Sequence, residues 1–159
     1  MSNLQTFNVS SLLNPKNNKY CSEVLSMLLF DILIGNSDRH PGNFAITSQG
    51  FYPLYDNGSS LCAYVNEEDI NSLFNDSMRW RALQYSKSKP VLRDEQKLTH
   101  YQLLNLLKLQ FPEEVAQFAH ALSSVDITEV LETVSQYVSQ KRYELLYKFL
   151  AERKAWFYE

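Results

Sequence analysis

Glycine is scarce in this chain: four in 159 residues, and all four, Gly35, Gly42, Gly50 and Gly58, fall in one stretch. No Gly-rich phosphate loop precedes that stretch. Cysteine is scarcer still. Cys21 and Cys62 stand alone in apolar surroundings, with no C-x-x-C and no Cys/His metal spacing. They read as buried thiols of a reducing cytoplasm rather than as a disulfide. Long apolar runs are missing too: "LSMLLFDILIG" is broken by Asp31 and is too short to span a bilayer. The first residues, "MSNLQTFNVSS", carry no cationic segment followed by an apolar one, so no secretory signal is visible. An excess of charge of one sign is also absent. A net charge of −3 gives no global reason to expect nucleic acid or an anionic membrane as partner. The expectation is a soluble, cytoplasmic protein with no membrane partner.

What is present is globular material. The hydrophobic share is 45% and the charged share 21%, the balance of a folded domain. The length suits one ordinary domain with a real core. Residues 1–18 read as an irregular arm ending in the turn-rich "NPKNN". From Lys19 onward, Tyr20, Val24, Leu25, Leu28, Leu29 and Ile32 recur at three and four, which predicts an amphipathic helix up to Ile34. Gly35 is its natural stop. Two short apolar runs, "FAI" and "FYPLY", joined by a Gly-containing turn, predict a β-hairpin over 44–55. Helical patterns follow, with Asn66, Thr99, Asp126 and Ser139 as candidate caps and Pro112 at a first helical position. Residues 76–98 are the least regular part. The fold class is therefore mainly α with one small β-hairpin, planted after the first long helix.

Polar chemistry concentrates in the loop "GNSDRHPGN", residues 35–43. Asp38 is followed five positions later by Asn43, then by the predicted hairpin, and Asp56 opens "DNG" at its far end. D-x-x-x-x-N is the spacing of a kinase catalytic loop, and Asp56 stands where a metal-binding aspartate would follow. The physical demand is general. Phosphoryl transfer needs Mg²⁺ on hard oxygen ligands and a second carboxylate kept off the metal to orient the attacking hydroxyl. Asp, Asn, Gly and Pro are also ordinary turn formers, so a plain loop with Asx-turns explains the same residues one by one. The helix–loop–hairpin context and the second aspartate favour the site.

"FDILIGNSDRHPGNFAI" followed by "FYPLYDNGSSL" resembles the catalytic core of HipA-like serine/threonine kinases, often toxins of toxin–antitoxin systems. The D-R-H-x-x-N string is also similar to that of phosphatidylinositol kinases. The match is specific over about residues 20–61. The resemblance implies that residues 19–159 form a kinase C-lobe, with Asp38 as the catalytic aspartate and Asn43 and Asp56 as Mg²⁺ ligands that bind ATP through the metal. It places His40 beside the transferring phosphate, and a histidine bonded to a loop carbonyl fits that position equally well. Residues 56–58 would be the metal-binding segment.

The family pattern also shows what is missing. Such kinases have an N-lobe carrying a phosphate loop and a lysine. Here only Lys16 and Lys19 lie upstream, in a turn and at a helix start. The expectation is a C-lobe without its N-lobe: a subunit of a split kinase, with a second chain supplying the phosphate loop and lysine. The alternatives are a C-terminal fragment of a longer kinase and a non-catalytic binding or regulatory module. By the same resemblance, a DNA-binding antitoxin is a candidate third component. The substrate would be a protein hydroxyl, for instance on an aminoacyl-tRNA synthetase or another translation factor. A lipid headgroup is the competing substrate, unsupported by any amphipathic membrane-binding stretch. Finally, "SMRWRALQYSKSKPVLR", residues 77–93, has five positive residues and no acid. It reads either as a docking surface with Trp80 and Tyr85 as anchors or as a solvated loop whose aromatics pack inward. In the last helix, Tyr143, Leu146, Leu150, Trp156 and Phe157 read as a core stripe.

Overall fold

The computed structural model describes residues 13–14, 19–40, 43–46, 50–52, 57–91 and 97–159. The first helix, α1 (Cys21–Ile34), is the axis around which the rest is arranged. Its apolar residues are distributed around the helix, and Val24, Leu25, Met27, Leu28, Leu29, Ile32 and Ile34 are all buried. A helix buried on most of its faces needs neighbours on several sides. Those neighbours are α4 (His100–Gln110), α5 (Pro112–Ser123) and α7 (Gln140–Trp156). Between α1 and α4 come β1 (Ala45–Ile46) and β2 (Phe51–Tyr52), then α2 (Ile70–Phe74), α3 (Ser77–Gln84), β3 (Lys87–Val91) and β4 (Lys97–Thr99). The short α6 (Ile127–Glu132) packs on α7.

The fold is mainly helical with small antiparallel strand pairs. β1 pairs with β2 in the register Ala45–Tyr52 and Ile46–Phe51. A second pair was not foreseen: β3 and β4 join antiparallel, with Lys87 opposite Thr99 and Val91 opposite Lys97. The stretch read as least regular therefore holds a helix and two strands. Two local features hid them. The start of α3 is set by Asp76, whose carboxylate accepts the N–H groups of Met78 and Arg79 at 3.0 Å. Pro90 sits within β3, a residue compatible only with an edge or irregular strand, and the register there is irregular.

Most of the helix starts follow their caps. Thr99 and Gln102 form a reciprocal capping box on α4, and Asp126 and Ser139 cap α6 and α7. Pro112 is at the start of α5. Asn66 is the exception. Its side chain reaches Asp69 rather than a backbone N–H, and the acidic run forms a one-turn 3-10 helix (Glu67–Asp69) before α2. Two apolar clusters result. The larger joins α1, α4, α5 and the end of α7. The smaller gathers Cys62, Ile70, Leu73, Trp80, Leu145 and Phe149. The last helix contributes to both, Trp156 to the first and Phe149 to the second. Among the described residues no helix is long and apolar enough to cross a membrane.

Gly35 ends α1 in the left-handed conformation, at φ +67°, with its N–H returned to the Asp31 carbonyl. A Cβ there would lie 2.6 Å from the Phe149 ring. Gly35→Ala should thus combine left-handed strain with overpacking, for a loss of about 2–4 kcal/mol. Chemical denaturation reads this directly, and a variant within experimental error of wild type would refute it.

Candidate functional site

Asp31 lies in the last turn of α1 and is buried, an anomaly on so apolar a helix. A carboxylate removed from water needs partners. Arg39 provides them: its Nε donates to Oδ2 and its Nη2 to Oδ1, both at 2.8 Å. The geometry is that of a bidentate ionised pair. Burial raises the Asp31 pKa, while Arg39 and the Asn36 amide pull it back. Arg39 has further donors. Nη2 also donates to Asn57 Oδ1 at 2.7 Å, and Nη1 to the Asn43 carbonyl at 3.2 Å. One guanidinium thereby joins the helix end, the far end of the loop and the segment beyond the β1–β2 hairpin.

Within the loop, Asp38 is held by its backbone on both sides. Its N–H donates to Asn36 Oδ1 at 3.0 Å, and its carbonyl accepts Asn43 Nδ2 at 3.0 Å. The Asn43 N–H in turn donates to the His40 carbonyl at 2.9 Å. Asp38 and His40 are half-buried, and Asn43 is buried. The structure thus brings Asp38, His40 and Asn43 into one closed turn of chain. Asp56 lies outside the described residues, as do Pro41 and Gly42. Its neighbour Asn57 is tied to Arg39 as above. Across the loop, the Ser37 N–H and hydroxyl both reach the Ser59 carbonyl at 3.3 Å, and the Leu61 N–H donates to Ile34 O at 2.8 Å. Leu61 and Cys62 both adopt positive φ, +52° and +59°.

Asn36 is fully buried and sits at the centre. Its Nδ2 donates to Asp31 Oδ1 at 3.1 Å, its Oδ1 accepts from Asp38, and its carbonyl faces His100 Nε2 at 2.9 Å. His100 opens α4 and is fully buried. Burial, then the Arg153 charge, pulls its pKa from 6.5 down to about 4, so the ring is neutral at physiological pH. Its Nδ1 lies 2.9 Å from the Ser86 carbonyl and 3.2 Å from the Ser86 hydroxyl. Arg153, fully buried on α7, donates to Ile32 O at 2.6 Å, to Gln84 O at 2.5 Å and to Ser86 Oγ at 3.1 Å.

Sequence reasoning reached Asp38, His40 and Asn43 but not the buried residues that brace them. A charge inside an apolar helix, Asp31, was a usable signal, with Arg39 as the nearest cation to answer it. His100 and Arg153 had none, because their partners lie far along the chain. For the basic stretch, the inward-packing reading holds for its aromatics. Trp80 is buried with Nε1 on the Glu152 carboxylate at 2.8 Å, and Tyr85 packs against Tyr101 and Trp156.

Among the described residues no three His, Cys, Asp or Glu side chains form a metal-holding group. Asn43 fits a hard cation in its chemistry. Its Nδ2 is engaged with the Asp38 carbonyl, which leaves the amide oxygen as the donor of the kind Mg²⁺ takes.

No protein-family model matches the chain, and no curated protein does. Its fold is similar to the crystal structure of a Helicobacter pylori proinflammatory kinase, CtkA, with a TM-score of 0.72 at 20% identity. The likeness covers 87% of this chain and 51% of that one, so the chain spans about half the length of the kinase it resembles.

Two outcomes follow from the geometry. Removing Asp31 by Asp31→Ala strands a buried guanidinium and should cost about 3–5 kcal/mol. An unfolding midpoint unmoved by that change would show that the Arg39 charge is solvated elsewhere. The second concerns acid. Unfolded, His100 takes a proton near pH 6.5, and folded only near pH 4. Between these values the unfolded state binds the extra proton, so stability present above pH 6.5 is lost as pH falls toward 4. The loss amounts to about 3 kcal/mol. Urea unfolding across that window should show the slope in wild type and a flatter profile in His100→Gln.

Proposed function

We propose that this chain is the catalytic lobe of a HipA-like serine/threonine kinase, moving the γ-phosphoryl group of ATP to a protein hydroxyl. The observation that carries the reading is the fixed Asp38 peptide: its N–H and its carbonyl are both bound inside the loop. Orientation of a general base is what phosphoryl transfer asks of the protein, since little covalent chemistry is left for side chains to do. Asp38 would accept the proton of the attacking hydroxyl. Asn43 and Asp56 would hold Mg²⁺, which when bound neutralises charge on the phosphate oxygens. His40, whose carbonyl takes the Asn43 N–H, would stand beside the phosphate. Likeness of fold to a protein described as a kinase supports the reading.

The chain spans 51% of that kinase. The phosphate loop and lysine are therefore proposed to come from another half, on a second chain or on the remainder of a longer polypeptide. A toxin–antitoxin setting, with a DNA-binding third component and a translation factor as substrate, rests on the sequence resemblance alone.

The test is phosphotransfer from labelled ATP by the complex purified with its co-expressed neighbours, with products separated into protein and lipid. Asp38→Ala should lower the rate about 10²–10⁴-fold and leave Mg·ATP binding in place, whereas Asn43→Ala should weaken Mg·ATP binding. Undiminished transfer by Asp38→Ala would remove Asp38 from the chemistry and the proposal with it.

A further inference from the structure

Between Arg153 and Asp38 runs a chain of polar groups that no local sequence pattern announces. Arg153 Nη2 lies 3.1 Å from Ser86 Oγ, Ser86 Oγ lies 3.2 Å from His100 Nδ1, and His100 Nε2 lies 2.9 Å from the Asn36 carbonyl. Asn36 then takes the Asp38 N–H on its side-chain oxygen at 3.0 Å. His100, Asn36 and Arg153 are fully buried, so their hydrogen bonds are made within the protein rather than with water.

The direction of the chain follows from the groups at each end. A guanidinium only donates, so Ser86 Oγ accepts from Arg153 and its own proton is available to His100. A backbone carbonyl only accepts, and each ring nitrogen faces one at 2.9 Å, Asn36 O at Nε2 and Ser86 O at Nδ1. A neutral imidazole has one N–H, so one nitrogen must turn its lone pair toward a carbonyl; Nδ1 is the nitrogen that can, because the Ser86 hydroxyl, 3.2 Å away, donates to it. The opposite tautomer would turn a lone pair on Nε2 toward the Asn36 carbonyl.

We infer that Ser86, His100 and Asn36 are positioning residues for Asp38, forming a donor chain from Arg153 to the Asn36 carbonyl that sets the His100 tautomer and thereby places Asn36, whose side-chain oxygen takes the Asp38 N–H. Its importance for chemistry rests on the reading of Asp38 as the general base. The chain crosses three elements: α7 through Arg153, the β3–β4 pair through Ser86 at its edge, and α4 through His100. The second strand pair thus has a task. The backbone N–H of His100 donates to the Ser86 carbonyl at 3.1 Å, which holds Ser86 beside the ring.

Nitrogen-15 NMR of the full chain, recorded without nucleotide, tests this. Wild type should show the His100 proton on Nε2. In Ser86→Ala the hydroxyl donor is gone, and Nδ1 becomes the better place for the proton because the Ser86 carbonyl lies 2.9 Å away. The ring proton should then shift toward Nδ1, and the Asp38 amide resonance should move with it. His100→Leu should move that resonance too, while His100→Gln, which returns an N–H near the Asn36 carbonyl, should restore it. If His100→Leu does not fold, Ser86→Ala gives the same reading with only one hydroxyl removed. In the active complex, Ser86→Ala should lower kcat about tenfold with KM for ATP unchanged. A wild-type proton on Nδ1 overturns the proposal, as does an Asp38 amide that ignores Ser86→Ala. Failure of the complex to transfer phosphate would remove the kinase reading and leave the NMR result standing, so the two fail separately.

Discussion

A fully buried guanidinium, Arg153, holds the molecule together at the point where two helices end. Ile32 O belongs to the last turn of α1 and Gln84 O to the last turn of α3, and both accept from it. Helix C-termini carry partial negative charge on carbonyls that lack intrahelical partners. Among the described residues no carboxylate pairs with Arg153, so these two helix ends take that place. The Phe149 and Trp156 rings, 4.5 and 4.9 Å from the guanidinium carbon, cover it further. The charge still feels its burial, which lowers its pKa from 12.5 to about 9 and leaves it protonated at neutral pH. The loop takes its starting point beside this contact, because Gly35 begins where α1 stops.

A second buried charge does the complementary work. The Asp31–Arg39 pair ties the last turn of α1 to the loop. Loop backbone has no sheet ladder or helical turn to satisfy it, so its N–H and C=O groups must find side chains. Here the Asn36, Asn43 and Arg39 side chains serve as those partners, with Asn57 joined to two of them, which is why a polar cluster interrupts the core. A buried ion pair of this kind is weak evidence for stability, since an apolar replacement often serves as well. Its value here is geometric: three segments, reached through Asp31, Asn43 and Asn57, meet on one planar fork.

The strain at Leu61 and Cys62 belongs to the same arrangement. Two consecutive non-glycine residues in the left-handed region cost roughly 1–2 kcal/mol each. They turn the chain so that the Leu61 N–H reaches Ile34 O and the Ser59 carbonyl covers Ser37. The segment after the hairpin is thereby clamped along the loop. Cys62 is buried by the turn, and burial raises its thiol pKa to about 12, so it remains an inert part of the smaller core.

Local pattern was enough for what local physics decides. The three-and-four spacing from Tyr20 to Ile32 made a helix, Gly35 stopped it, and Thr99, Pro112, Asp126 and Ser139 marked starts that the structure keeps. The two apolar runs paired as strands, and Asn43 bonded back to Asp38 and His40. Asn66 does stand at the N-cap position with acids in the first turn, but that turn is 3-10 and its side chain reaches Asp69 in place of a backbone N–H. The strand pair β3–β4 escaped notice because Pro90 argues against a strand until an edge is available to hold it. Charged and polar residues at distance were beyond reach. Nothing in "AERKAW" distinguishes Arg153 from its half-buried charged neighbours Glu152 and Lys154, and His100 reads as an ordinary first residue of a helix. Which cation is buried depends on where two helix ends meet. That meeting is a property of the packed core, formed between residues up to 121 apart in sequence, and only the tertiary structure decides it.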